Sequence, residues 1–154
     1  MGEPVASAAP RPTFREMIEA DRAYVMSTWI RSYHTARPVK NLSPRVYYDG
    51  QRAMIERILQ RGAGVLVAAD PAYPETVIWG WICAEPHVVH YVYVRPEMRR
   101  LGYGRELLEQ FVDPKRFTYS HEPPPPTERG APEWLRARLQ GASDVIYDPY
   151  AVVR

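Results

Sequence analysis

Tyr91, Val92 and Tyr93 form a run of β-formers shortly before Gly102 and Gly104, and an apolar helical pattern (Leu107, Leu108, Phe111) starts directly after the glycines. The alternation predicts a strand over 88–94, and the later spacing predicts a helix over 104–111. A chain that passes from strand to helix through such a short segment has few places for the turn's side chains. Two glycines omit two of them, so the backbone N–H groups can approach a ligand closely. Those donors sit at the positive end of the following helix, which favours phosphate. Arg99, Arg100 and Arg105 add cationic groups, and Arg grips phosphate oxygens bidentately. The segment reads as a cradle for a pyrophosphate, with a plain glycine turn as the competing reading.

Two other phosphate motifs are excluded. No Gly-Lys pair exists for a P-loop, and Leu107 stands where a dinucleotide fingerprint needs its third glycine. The run Arg99-Arg100-Leu101-Gly102-Tyr103-Gly104 is instead similar to the Arg/Gln-x-x-Gly-x-Gly/Ala motif of the GNAT (Gcn5-related) N-acetyltransferases, and it follows an Arg95-Pro96 step as in that family. The resemblance implies that Arg99 to Gly104, with Arg105, bind the pyrophosphate of acetyl-CoA. It also implies that Val92, Tyr93 and Val94 hydrogen-bond the pantetheine arm. The implied fold is α/β (α+β), a mixed, mostly antiparallel central sheet with helices on both faces, whose fourth and fifth strands splay apart around the coenzyme. The order of elements agrees over about residues 13–151, more loosely in the last third.

At 154 residues the chain suits one domain with one core. We expect a flexible leader over 1–12 and a single domain over 13–154 with a Pro-rich insertion at 121–130. A net charge of +2 gives no general nucleic-acid affinity. The single cysteine, Cys83, lies in an apolar run and reads as a core residue, with no disulfide and no metal site expected. Without a signal peptide or long apolar run, a soluble cytoplasmic protein with no membrane partner is expected. Pairing as a homodimer stays open.

Other elements follow from local signals. A strand is expected over 13–17, then a helix capped by Asp21 and running to about Tyr33, then a loop over 34–42. Ser43-Pro44 starts a second helix in N-cap and N1 order, and Gly62 closes it. Strands over 64–69 and 76–84 make a hairpin, Glu85-Pro86 interrupts, and a short strand spans 117–120. Four prolines at 123–126 imply an extended segment. A helix over 132–139 and a last strand over 144–153, interrupted at Pro149, complete the chain.

Acetyl transfer to an amine needs a neutral nucleophile, a donor for the thioester oxygen and a proton for the leaving thiolate. Strict alternation places His90 on the side of Val92 and Val94, and an imidazole titrates near pH 6.5. His90 is the first candidate base, and some members of the resembled family use a histidine here. A core histidine bonded to a carbonyl is the alternative. Glu85 is the second candidate. The family commonly takes its acid from a Tyr on the helix after the fifth strand, but 132–139 holds none, so Tyr119, Tyr147 and Tyr150 are substitutes. The expected function is an acetyl-CoA-dependent N-acetyltransferase acting on a small amine, an amino terminus or a lysine. A catalytically silent coenzyme-binding scaffold is the alternative. A nucleobase-modifying protein is a third, if Arg11, Arg15, Arg136, Arg138 and Arg154 converge. Trp79, Trp81, Tyr91 and Tyr93 read as core packing.

Overall fold

Six short strands, of which the third is buried at nearly every position, pair in chain order into one sheet. A computed structural model describes residues 9–32, 41–113, 116–121 and 144–153 of the chain. The expected helix over 132–139, most of the 34–42 loop and residues 122–130 of the Pro-rich insertion lie outside them. So do Arg136, Arg138 and Arg154.

Strands β1 (Thr13–Glu16), β2 (Gly64–Ala69), β3 (Ile78–Glu85) and β4 (Val88–Val94) are antiparallel neighbours. Strands β5 (Arg116–Tyr119) and β6 (Asp144–Tyr147) continue the sheet in parallel. This is the mixed, mostly antiparallel sheet that the motif implied. Pro86 and His87 turn the β3–β4 hairpin; His87 takes the left-handed conformation at φ 64°, and the ring of Pro86 fixes that residue's own φ for the turn.

Helices cover both faces. Helices α1 (Arg22–Ser32) and α2 (Pro44–Gln60) pack Val25, Trp29, Ile55 and Ile58 against Val65, Val67, Trp81 and Cys83. Helix α3 (Tyr103–Phe111) packs Leu107 and Leu108 against Ile82, Ala84, Val89 and Phe117 on the other face. As expected, the Ser43 side chain accepts from Val46 N–H at 3.4 Å with Pro44 at the first helical position. Gly62 follows the end of α2 at φ 98°.

Several local expectations change. Asp21 does not cap forward into α1; its carboxylate accepts from Ile18 N–H at 2.9 Å and pairs with Arg15 at 2.5 Å, closing a 3-10 turn over Glu19–Asp21. Strand β3 begins at Ile78, because Thr76 and Val77 donate backward to Tyr73 in a turn. After Tyr147 the tail does not resume a strand: Pro149 starts a 3-10 turn (Pro149–Val152), with Asp148 accepting from Tyr150 N–H at 3.0 Å.

The largest correction lies inside β4. Its register on β3 passes from Cys83 opposite Tyr91 to Ala84 opposite Val89, so β4 carries one extra residue at His90. Such a bulge breaks strict alternation. Val89, rather than His90, therefore joins Val92 and Val94 on the α3 face.

Candidate active site

The anion corner forms where β4 feeds α3. A 3-10 turn (Pro96–Met98) and the left-handed Arg100 (φ 66°) fold the chain back, and Gly102 caps α3 at φ 91°. A β-carbon at Gly102 would meet nothing within 4 Å, so its backbone conformation, not crowding, is what asks for glycine. Glu106 is the residue that donates to Gly102 O, at 3.0 Å, leaving the amides of Tyr103, Gly104 and Arg105 unused by the helix. The N-cap, Gly102, has no side chain with which to cap them. The arrangement exposes three donors at a positive helix end.

The edge of β4 leads to that corner. Strand β5 pairs with β4 only at Val88–Thr118 and Val89–Tyr119. Ser120 N–H donates to Val89 O at 3.1 Å, and among the described residues the pairing goes no further. Arg95 N–H donates to Trp79 O at 2.8 Å. Antiparallel alternation then turns the backbone groups of Tyr93 and Tyr91 toward β3, and those of Val92 and Val94 toward the open edge. Val94 O on that edge accepts from Arg99 Nε at 2.9 Å.

The motif residues divide by position. Val92, Val94, Arg99, Gly102 and Gly104 border one continuous edge and corner. Tyr93 does not join them: its backbone serves β3 and its ring packs on Trp81 and Tyr24 across the sheet. The Tyr103 side chain is buried, stacked on Trp79 at 5.3 Å and donating to Pro10 O at 2.5 Å, so only its amide faces the corner. Arg105 pairs with Glu109 at 2.8 Å on the helix flank. Leu101 is exposed.

A second cluster occupies the fork where β4 and β5 part. Because of the bulge, the His90 ring turns to Glu85, Ser120 and the end of α2. It is fully buried, with Nε2 2.5 Å from Glu85 Oε2 and Nδ1 2.8 Å from Ser120 Oγ. Arg61 clamps the carboxylate from the other side, Nη2 to Oε2 at 2.7 Å and Nε to Oε1 at 3.0 Å. Arg61 also donates to Ala151 O at 2.6 Å and Val152 O at 2.9 Å, tying in the last 3-10 turn. Ser120 Oγ lies 2.9 Å from His121 Nδ1.

Burial pushes the Glu85 carboxyl upward, but hydrogen bonds from Arg61 and His90 outweigh it and hold the group below the usual carboxylate range. An ionised Glu85 makes His90 Nε2 the N–H donor, so Nδ1 accepts from Ser120. Burial lowers the His90 pKa, opposed by the hydrogen bond and charge of Glu85. Burial takes His121 further, down to about 4, with the charge of His90 adding to it and a hydrogen bond to the His90 backbone opposing it. The Cys83 thiol is buried and pushed up by desolvation.

Sequence reasoning named His90 and Glu85 as alternative bases without bringing them into contact, and it missed Arg61, Ser120 and His121. Arg61 carried one signal, an arginine just before the glycine that ends α2. Ser120-His121 carried another, two adjacent polar residues closing an apolar strand. The Tyr119 side chain is buried with Val89 and Leu108 on the α3 face, and the bulge turns His90 away from that face. Tyr147 and Tyr150 are exposed.

A family model described as the acetyltransferase (GNAT) family matches residues 26–114. Among solved structures, a ribosomal-protein-alanine N-acetyltransferase from Brucella melitensis is 22% identical with a TM-score of 0.44, over 64% of this chain and 64% of that one. A GCN5-related N-acetyltransferase from Rhodopseudomonas palustris is 15% identical with a TM-score of 0.44, over 66% and 63%. A Salmonella typhimurium protein solved with its cofactor acetyl-CoA is 22% identical with a TM-score of 0.40, over 66% and 61%. The chain thus spans just under two thirds of the length of each. No curated protein matches the sequence.

Proposed function

The chain belongs to the acetyltransferase (GNAT) family, and from that premise we propose that it transfers an acetyl group from acetyl-CoA to a primary amine by direct attack. The observation that carries this reading is the continuity of the β4 edge, unpaired past Val89 among the described residues, with the α3 start capped by a glycine that has no side chain. An extended pantetheine arm with its amides can add to such an edge as a peptide would. The diphosphate then meets the amides of Tyr103, Gly104 and Arg105, with Arg99 and Arg100 beside it.

On the same reading, Val92 N–H, aimed out of the edge, polarises the thioester carbonyl as its oxygen gains charge. The amine nitrogen bonds to the carbonyl carbon, the carbon–sulfur bond breaks, and the thiolate of coenzyme A leaves. No covalent enzyme intermediate is required. His90 is the proposed proton acceptor. Glu85, held ionised by Arg61, orients and supports it and is not the base. The buried ring of Tyr119 lies on the coenzyme face of the fork, where it remains the candidate acid. The acceptor is a small amine, an amino terminus or a lysine. We place the reaction in the cytoplasm; no described helix is long and apolar enough to cross a membrane.

Isothermal titration with acetyl-CoA tests the reading, read together with thiol release from a panel of primary amines. Saturable binding that Gly102→Glu abolishes, with release that depends on an amine, supports it. Absent binding by the folded wild-type chain overturns it. Binding without turnover on any amine leaves only a coenzyme-binding module.

A further inference from the structure

Both ring nitrogens of His90 are engaged, Nε2 by Glu85 and Nδ1 by Ser120, so an acceptor amine exchanges a proton with the ring only through one of these partners, and Ser120, 4% exposed, is the one that is not a charged carboxylate. We propose that Ser120 is a catalytic residue, the group that touches the amine and relays its proton to His90, with His121 as the positioning residue on its far side. This rests on the acetyl-transfer reading above. It names a residue outside the motif and on a different strand.

Position supports the assignment first. Ser120 and His90 are the first residues past the last paired position of β5 and β4, Tyr119 and Val89. They stand together at the apex of the fork, where a thioester lying along the β4 edge would end.

The hydrogen-bond inventory supports it next. With Glu85 ionised, His90 carries its proton on Nε2, and Ser120 O–H donates to the lone pair of Nδ1. In this arrangement Ser120 Oγ accepts from His121 Nδ1–H and keeps one lone pair. An ammonium acceptor puts its N–H there. The amine N–H bond breaks and that proton bonds to Ser120 Oγ, while the original Ser120 proton moves to His90 Nδ1. His90 becomes an imidazolium, the amine regains its lone pair, and Ser120 is again a neutral hydroxyl.

Charge selects the destination of the proton. Of the two histidines flanking Ser120, His90 faces a carboxylate. His121 is enclosed by the rings of Trp29 from α1 and Tyr91 from β4, at 5.7 and 6.4 Å. The charged groups around His90 are Glu85 from the hairpin and Arg61 from α2, and Arg61 is already directed at Glu85 and two carbonyls. Thus His121 stays neutral and fixes the hydroxyl, while His90 accepts the charge.

The test uses the full chain labelled with 15N-histidine, which holds four histidines. Long-range 1H–15N spectra across pH should show neutral His90 as the Nε2–H tautomer. The titrations of His90 and His121 should be coupled, and Ser120→Ala should make them independent. Thiol release from acetyl-CoA with lysine amide and tyramine as acceptors should fall at least about 100-fold in kcat/KM for Ser120→Ala. The acidic limb of its pH profile should be lost, and acetyl-CoA affinity should hold within about twofold, roughly 0.4 kcal/mol. Ser120→Thr, which keeps the hydroxyl, should restore most of the rate. The relay is overturned if Ser120→Ala retains the wild-type rate and profile, if His90 carries its proton on Nδ1, or if an acetyl ester accumulates on Ser120. Failure of acetyl-CoA to bind would sink the function reading, and the histidine spectra would still decide the relay.

Discussion

Removing Arg61 is the most direct probe of the buried network, because one guanidinium ties α2, the β3–β4 hairpin and the last 3-10 turn together. Arg61→Ala leaves Glu85 beside His90 without its cation and leaves the Ala151 and Val152 carbonyls without that donor. Breaking a fully buried pair costs about 3–5 kcal/mol, and breaking an exposed one about 0–1 kcal/mol. Arg61 and Glu85 are 24% and 22% exposed, which places the loss nearer the buried limit, at about 2–3 kcal/mol. For a chain of this size that is a fall in Tm of about 6–9 °C. The sign with pH follows from Glu85, whose folded pKa lies below its ordinary 4.5. Its stabilisation is present above the unfolded value and is lost as pH falls through the folded one. Circular-dichroism melts of wild type, Arg61→Ala and Arg61→Lys should differ most near neutral pH, and the gap should narrow as pH falls through the folded Glu85 value, leaving the part that comes from the Ala151 and Val152 carbonyls. Arg61→Lys should fall between the other two, since an ammonium cannot grip both carboxylate oxygens as the fork does. If Arg61→Ala melts within a degree of wild type at about pH 7, the clamp contributes nothing and the argument fails.

Gly80→Ala would place a β-carbon 2.6 Å from Tyr93 O and 3.3 Å from Leu107 Cδ1, so β4 or α3 must shift. We expect a loss of about 1–3 kcal/mol in urea unfolding, together with weaker acetyl-CoA binding measured by calorimetry. Burial depresses the pKa of both His90 and His121, so the unfolded chain binds protons first; urea midpoints should therefore decline as pH drops below about 6.5, and replacing His121 with Gln should flatten that decline. Tyr103→Phe removes the bond to Pro10 O and should cost about 1 kcal/mol, whereas Tyr103→Leu should cost more by also losing the stack on Trp79, as thermal melts would show.

Much of the frame was legible because short-range chemistry sets it. Ser43-Pro44 and Gly62 bound α2 through capping and a left-handed stop. Pro86 interrupts a run of apolar residues and makes the hairpin. The two glycines after an aromatic strand marked the strand-to-helix corner, although the roles of individual residues there were less visible. Tyr103 sits between those glycines, yet its side chain serves the core, because the first residue of α3 faces Trp79. Arg61, Ser120 and His121 were missed for another reason. Each becomes part of the site only through partners distant in sequence, such as Arg61 with Glu85 and Val152, and no local period encodes such a meeting.

The side chosen by His90 shows why the miss matters. Counting by twos from Val92 put it on the α3 face, and one inserted residue reversed that. A bulge also bends its strand and increases local twist. Strand β3 follows β4 past the bulge, because its ladder resumes at Tyr91, but among the described residues the β5 pairing ends at Val89. The strand pair therefore opens where the extra residue sits. A single insertion then accounts for two features that would otherwise need separate causes. Among the described residues it leaves the Val92 and Val94 backbone groups outside the β4–β5 ladder, and it swings an imidazole through the sheet to Glu85 and Ser120. Restoring regular alternation by deleting one residue at this point should thus remove both together, extending the β4–β5 ladder while returning the ring to the α3 side.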